Sequence, residues 1–101
     1  MSMKTPNNRI GACMVPIANL QPHPMNANVM VPELQAKLKA HIKRTGRYPH
    51  LIVRPHPEET GEYQVLDGHH RLVVLRELGH AEARCDVWQV DDREANLLLS
   101  T

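Results

Sequence analysis

Apolar positions along the chain change period several times, and each change marks an element. Val15 and Ile17 alternate with other residues between Cys13 and Leu20, which predicts a short strand. Gln21-Pro22-His23-Pro24 follows with two prolines that supply no backbone donor, so no strand is expected to continue there and a loop should run to about Val31. Leu34, Leu38 and Ile42 then recur at four-residue spacing, behind Pro32 at a first helical position and ahead of Gly46 as a C-terminal cap. That pattern predicts a helix over 32–45. Beyond Arg47-Tyr48-Pro49, the compact run Leu51-Ile52-Val53 and the extended Tyr63-Gln64-Val65-Leu66 flank a turn at Pro57-Glu58-Glu59-Thr60-Gly61, the arrangement of a hairpin. Asp67-Gly68 turns the chain into a second helix with Leu72, Leu75 and Leu78 on one side and Gly79 as its stop. From Ala83 to Val90 the period returns to two, with Ala83, Cys85 and Val87 set against Arg84, Asp86 and Trp88. Asp91 and Glu94 are spaced as a capping pair for a last helix through Leu97, Leu98 and Leu99.

The order strand, helix, two strands, helix, strand, helix defines a small α+β domain, a mixed sheet with packed helices. Residues 1–12 are polar and aperiodic and are expected to form a flexible N-terminal arm, with the domain spanning 13–101. The last helix stops while still apolar, so this domain is expected to be the N-terminal part of a longer protein.

Composition adjusts this picture in a few places. At 101 residues there is room for one modest core. With aromatics at 3% and no Phe, that core must be aliphatic. No apolar run is long enough for a membrane span, and the N-terminus lacks the apolar stretch of a signal peptide, so a cytoplasmic location without membrane attachment is expected. Cys13 and Cys85 belong to no ligand pattern, and each is expected to be a small buried apolar residue in a reducing compartment rather than half of a disulfide.

The net charge of +1 predicts no nucleic-acid partner, but its distribution is uneven. Between Leu34 and Pro57 there is no acid, while Lys37, Lys39, Lys43, Arg44, Arg47 and Arg54 fall there with His41, His50 and His56. Ten of the eleven acids, all but Glu33, come at Glu58 or later. This basic 37–54 segment is either a positive surface able to meet DNA or an ordinary solvated helix face.

The most informative chemistry lies at Leu66-Asp67-Gly68-His69-His70-Arg71. At a strand-to-helix junction the first helical N–H groups lack intrahelical acceptors and carry the positive end of the helix dipole. Gly68 allows close backbone approach, and His69, His70 and Arg71 add donors suited to phosphate oxygens. Asp67 is placed to cap the helix, to hold a magnesium ion or to meet a ribose hydroxyl. An Asp-Gly pair alone is ordinary turn chemistry; it is the concentration of polar and special residues between two apolar segments that points to an anion pocket. Adjacent histidines face different sides of a helix and no third ligand stands at a zinc-like spacing, so no protein-held metal is expected.

The segments "VPIANLQPHP", "LKAHIKRTGRYPHLIV", "GEYQVLDGHHRLVVLRELG" and "CDVWQVDDREANLLL" together resemble the fold shared by the N-terminal domain of ParB partition proteins, sulfiredoxin and the free serine kinases, over about six-sevenths of the chain. The resemblance implies that Gly68, His69, His70 and Arg71 bind nucleotide phosphates, with Asp67, His23 and the loop Thr45-Gly46-Arg47 in support. The nucleotide would be CTP, ATP or ADP with Mg2+. The DGHHR form looks most like the kinase branch, since partition proteins carry a GERR-like box here.

Departures from each branch matter as much. Sulfiredoxin attacks with a Cys where this chain has His69, so its chemistry is not expected. The kinases place a catalytic Glu directly after the His matched by His23, where Pro24 stands here. Partition proteins hydrolyse CTP with a Glu-Asn pair that would fall near Ser100 and Thr101, and no such pair is present. The leading expectation is therefore a ParB-like nucleotide-binding module of a DNA-associated or regulatory protein, with homodimerisation left open. The alternatives are a small-molecule kinase or nucleotide hydrolase and, third, a DNA-binding or nuclease domain, although no cluster of acids suggests two catalytic metals.

Overall fold

A computed structural model describes residues 9–24 and 31–98. Its elements are β1 (Arg9–Pro16), β2 (Leu20–Pro22), α1 (Pro32–Thr45), β3 (Leu51–Pro55), β4 (Tyr63–Asp67), α2 (His69–Glu77), β5 (Glu82–Trp88) and α3 (Asp92–Leu98). The strands form one mixed sheet in the order β1-β5-β3-β4-β2. β3 and β4 make the expected antiparallel hairpin, and β1 pairs antiparallel with β5. β5 runs parallel to β3, and β2 parallel to β4.

Period-two alternation divides the apolar residues between the two faces of the sheet. Leu51, Val53, Val65, Cys85 and Val87 meet Ile42 of α1 and Leu72, Val74 and Leu75 of α2, forming an aliphatic core. Leu66 and the partly buried Ile52 and Trp88 belong to a smaller second cluster, closed by Val90 and by Ala95 of α3. The sheet is thus covered by two helices in one layer and by the short α3 in the other. Nothing is described of residues 1–8, 25–30 and 99–101, so most of the expected arm, most of the loop up to Val31 and the last part of the expected terminal helix lie outside the described residues.

The first strand differs from expectation at both ends. It begins at Arg9, four residues ahead of Cys13, because a strand at the sheet edge needs no apolar alternation in its exposed part; Arg9 is held there by an ion pair to Asp86 on β5 at 3.1 Å. It ends at Pro16, and a single 3-10 turn, Ile17–Asn19, separates it from β2. Pro22 was expected to exclude a strand, yet it lies in β2, opposite Val65. β2 is an edge strand with one neighbour, and a missing donor is tolerated there. β5 starts one residue earlier than expected and stops at Trp88 rather than Val90.

The helix signals act where they were read. Gly46 adopts φ 69° and donates its N–H to Ile42 O at 2.8 Å, closing α1. Asp91 and Glu94 form a reciprocal capping box: the Glu94 amide donates to Asp91 Oδ1 at 2.8 Å and the Asp91 amide to Glu94 Oε1 at 3.2 Å. The apolar stripe of α1 is buried only at its C-terminal end, since Ile42 is enclosed and Leu34 stays half exposed. The two cysteines also part company. Cys85 is buried but Cys13, on the edge strand, is exposed, and both are free thiols.

Candidate anion-binding turn and adjoining cavity

β4 carries the chain through the sheet to Asp67, and α2 leaves it at His69, so Gly68 alone makes the corner. It stands at the helix N-cap with φ 105° and ψ 23°, a left-handed conformation that glycine adopts at little cost. A Cβ here would lie 2.9 Å from Leu51 Cγ and 2.9 Å from an Arg71 terminal nitrogen. Arg71 is flexible, but Leu51 is fully buried and has little room to yield. Among the described residues no side chain caps the helix, so its opening amides remain directed outward from the junction. The capping role read for Asp67 is therefore corrected. Its carboxylate instead lies 3.7 Å from Arg71, one helical turn on.

Several buried polar atoms in the side chains of the turn lack hydrogen bonds. His69 is 5% exposed, and neither ring nitrogen makes a hydrogen bond of normal geometry. His70 Nε2 and Arg71 Nε are buried without partners as well. Buried polar groups are nearly always satisfied, so three neighbouring side chains left short at one corner single it out as the candidate site. Burial pushes the His69 pKa below its ordinary value; the Val65 carbonyl opposes that, while the charge of His70 acts in the same direction. Arg71 is steadied by donating to the His50 carbonyl at 3.3 Å.

Thr45, Gly46 and Arg47 form the end of α1, where Thr45 Oγ1 donates to His41 O at 2.8 Å and accepts from the Arg47 amide at 3.1 Å. A bond to the turn comes instead from His50, a member of the basic segment, whose carbonyl accepts from Arg71.

His23 is buried, and its charge acts on His69. It also lines a cavity of about 370 Å³ together with Pro24, Arg54, His56, Glu58 and Asp92. Its own pKa is lowered, by burial first and then by the Arg54 charge. Arg54 belongs to no positive surface. It is 3% exposed, donating to Gln64 Oε1 at 2.9 Å and to the Val90 carbonyl at 3.3 Å, and pairing with Asp92 at 2.7 Å. The hairpin register sets Arg54 opposite Gln64, so this pair was within reach of a sequence argument. The approach of Asp92 from α3 to Arg54, and the meeting of Glu58 with His23, were not, because each joins residues dozens of positions apart. Among the described residues no group of three or more His, Cys, Asp or Glu is placed to hold a metal ion. A Mg2+ ion carried by phosphates would find one carboxylate on the turn, Asp67, and such an ion takes most of its other ligands from phosphate and water.

Fold and corner together define a mixed-sheet α+β domain with a strand-turn-helix whose buried polar side chains are left short of partners. The model of the ParB N-terminal domain matches residues 1–99, and the chain belongs to that family. A candidate replication protein B from Sinorhizobium fredii is 40% identical over 57 residues, 56% of this chain and 17% of that protein. The chain thus spans about one-sixth of that relative's length. Among solved structures, the C-terminally truncated chromosome-partitioning protein ParB from Caulobacter crescentus complexed with CTP-gamma-S superposes with a TM-score of 0.77 at 28% identity, over 84% of this chain and 48% of that one. A free serine kinase in complex with ADP (TM-score 0.63, 19% identity, 86% of this chain and 35% of that one) and a sulfiredoxin from Arabidopsis thaliana (0.69, 19%, 89% and 98%) share the fold.

Proposed function

We propose that this domain binds a nucleoside triphosphate, with CTP the leading candidate, and serves as the nucleotide-sensing module of a DNA-associated partition or replication protein. The observation that carries the reading is the buried His69, whose ring nitrogens have the Val65 carbonyl nearby but no hydrogen bond of normal geometry, beside a left-handed Gly68 at an uncapped helix start. Phosphate oxygens would accept from the opening amides of α2 and from His69, His70 and Arg71. Asp67 would meet Mg2+ or a ribose hydroxyl, and His23 would stand at the far end of the phosphate chain. The family likeness supports CTP, since the ParB relative of known structure is complexed with a CTP analogue.

Calorimetric titration of the chain with CTP, ATP and ADP in the presence of Mg2+ tests this. Binding of CTP in the micromolar range supports the reading, and no heat from any of the three at millimolar concentration rejects it. Exposed Lys37, Lys43, Arg44 and Arg47 offer a basic strip on and just after α1 that supports DNA contact. A steep loss of duplex affinity with added salt would accompany such contact.

A second reading, phosphoryl transfer to a small hydroxyl compound such as serine, is favoured by one observation. Although Pro24 replaces the carboxylate of the kinase branch, Glu58 lines the same cavity beside His23. A carboxylate there could take the hydroxyl proton. Labelled phosphate appearing on free serine, and vanishing in Glu58→Gln, would establish it.

A further inference from the structure

Cys13 and Cys85 are separated by most of the sequence, yet the β1–β5 register sets them directly opposite one another on adjacent antiparallel strands. Directly opposed residues project to the same face of a sheet, with Cα atoms about 4.5–5.5 Å apart. That lies within the span of about 4.4–6.8 Å bridged by a disulfide. The two thiols differ in access. Cys13, on the open edge strand, is exposed, and Cys85 is fully enclosed beneath the helices.

We propose that Cys13 and Cys85 form a dithiol site that peroxides convert reversibly to an intramolecular cross-strand disulfide. Exposed Cys13 reacts first: its sulfur attacks one peroxide oxygen, an S–O bond forms as the O–O bond breaks, and the thiol proton leaves in water. The product is a sulfenic acid at Cys13. Cys85 sulfur then attacks Cys13 sulfur, an S–S bond replaces the S–O bond, and the Cys85 proton departs with the hydroxyl as a second water. Each sulfur gives up one electron, and the peroxide takes both.

The environment of Cys85 fits the second role and not the first. Its thiol points to the Ala83 carbonyl at 3.6 Å, and burial, with the nearby Cys13, pushes its pKa up to about 12. Alone it would be inert to peroxide. Held opposite an oxidised Cys13, it needs no diffusion to react. The site is separate from the Asp67–Arg71 turn, although β5 also pairs Cys85 with Leu51, the residue against which Gly68 packs.

The test treats the reduced chain with hydrogen peroxide, alkylates the remaining thiols and maps the peptides by mass without reductant. The expected result is loss of both free thiols, a chain lighter by the two thiol hydrogens, one crosslinked peptide pair containing Cys13 and Cys85, and full recovery with dithiothreitol. In Cys13→Ser, Cys85 should remain an unoxidised thiol under the same treatment. The proposal is overturned if Cys13 proceeds to sulfinic acid or joins a second chain while Cys85 stays free, or if neither thiol reacts.

Discussion

Replacing Gly68 by Ala strikes the corner on which the site depends, and its cost can be worked from two local terms. A non-glycine residue at φ 105° pays about 1–2 kcal/mol for the left-handed backbone. The new methyl would also stand 2.9 Å from Leu51 Cγ, and a fully buried leucine must shift to admit it, costing about 1–3 kcal/mol. Together these amount to about 3 kcal/mol, out of a total stability of about 5–15 kcal/mol for a domain of this kind. Gly46 provides the internal control. It too has positive φ, 69°, but a Cβ there meets nothing within 4 Å, so Gly46→Ala should cost only the backbone term, about 1 kcal/mol. At about 4–8 °C per kcal/mol, the two variants should melt about 10 °C apart. Thermal unfolding followed by circular dichroism measures that gap, and calorimetry at a temperature where both are folded measures nucleotide affinity, which Gly68→Ala should also reduce. Equal melting temperatures for the two variants would refute the close approach of Gly68 to Leu51.

Other outcomes follow from the same geometry. Arg71→Ala removes the proposed charge-assisted phosphate contact and should weaken nucleotide binding by about 2 kcal/mol by titration, with little loss of fold because among the described residues its side chain bonds the His50 carbonyl and pairs with Asp67. Arg54→Ala leaves the buried Gln64 carbonyl oxygen without its donor and opens a void, so urea denaturation should show a loss of about 3 kcal/mol. Asp91→Ala breaks the capping box of α3 and should cost about 1 kcal/mol in the same assay. His69 and His23 are both held below the ordinary imidazole value, so the unfolded chain takes up protons at higher pH than the folded one. Stability should therefore be complete above about pH 6.5 and fall as the pH drops through that value, with a shallower fall in His69→Gln when urea midpoints are compared.

Much of this domain was legible in the chain, because the signals concerned are local. Gly46, the Asp91–Glu94 pair, the hairpin around Pro57 to Gly61 and the strand-turn-helix at Asp67-Gly68 all act through residues within a few positions of one another, and their geometry follows from backbone sterics and nearby hydrogen bonds. The Gly68–Arg71 corner could be singled out for the same reason. What the chain could not disclose is set by sheet order. Pro22 lies in a strand because β2 is at an edge, Arg9 is ordered because Asp86 on β5 waits beside it, and Arg54 is buried rather than presented to solvent because α3 brings Asp92 to it. The union of His23 with Glu58 and Asp92 around one cavity and the meeting of Cys13 with Cys85 have the same origin. Each joins residues dozens of positions apart, and such pairs are chosen by which strands lie side by side and which faces the helices cover, a decision made by burial of the whole core rather than by any local pattern.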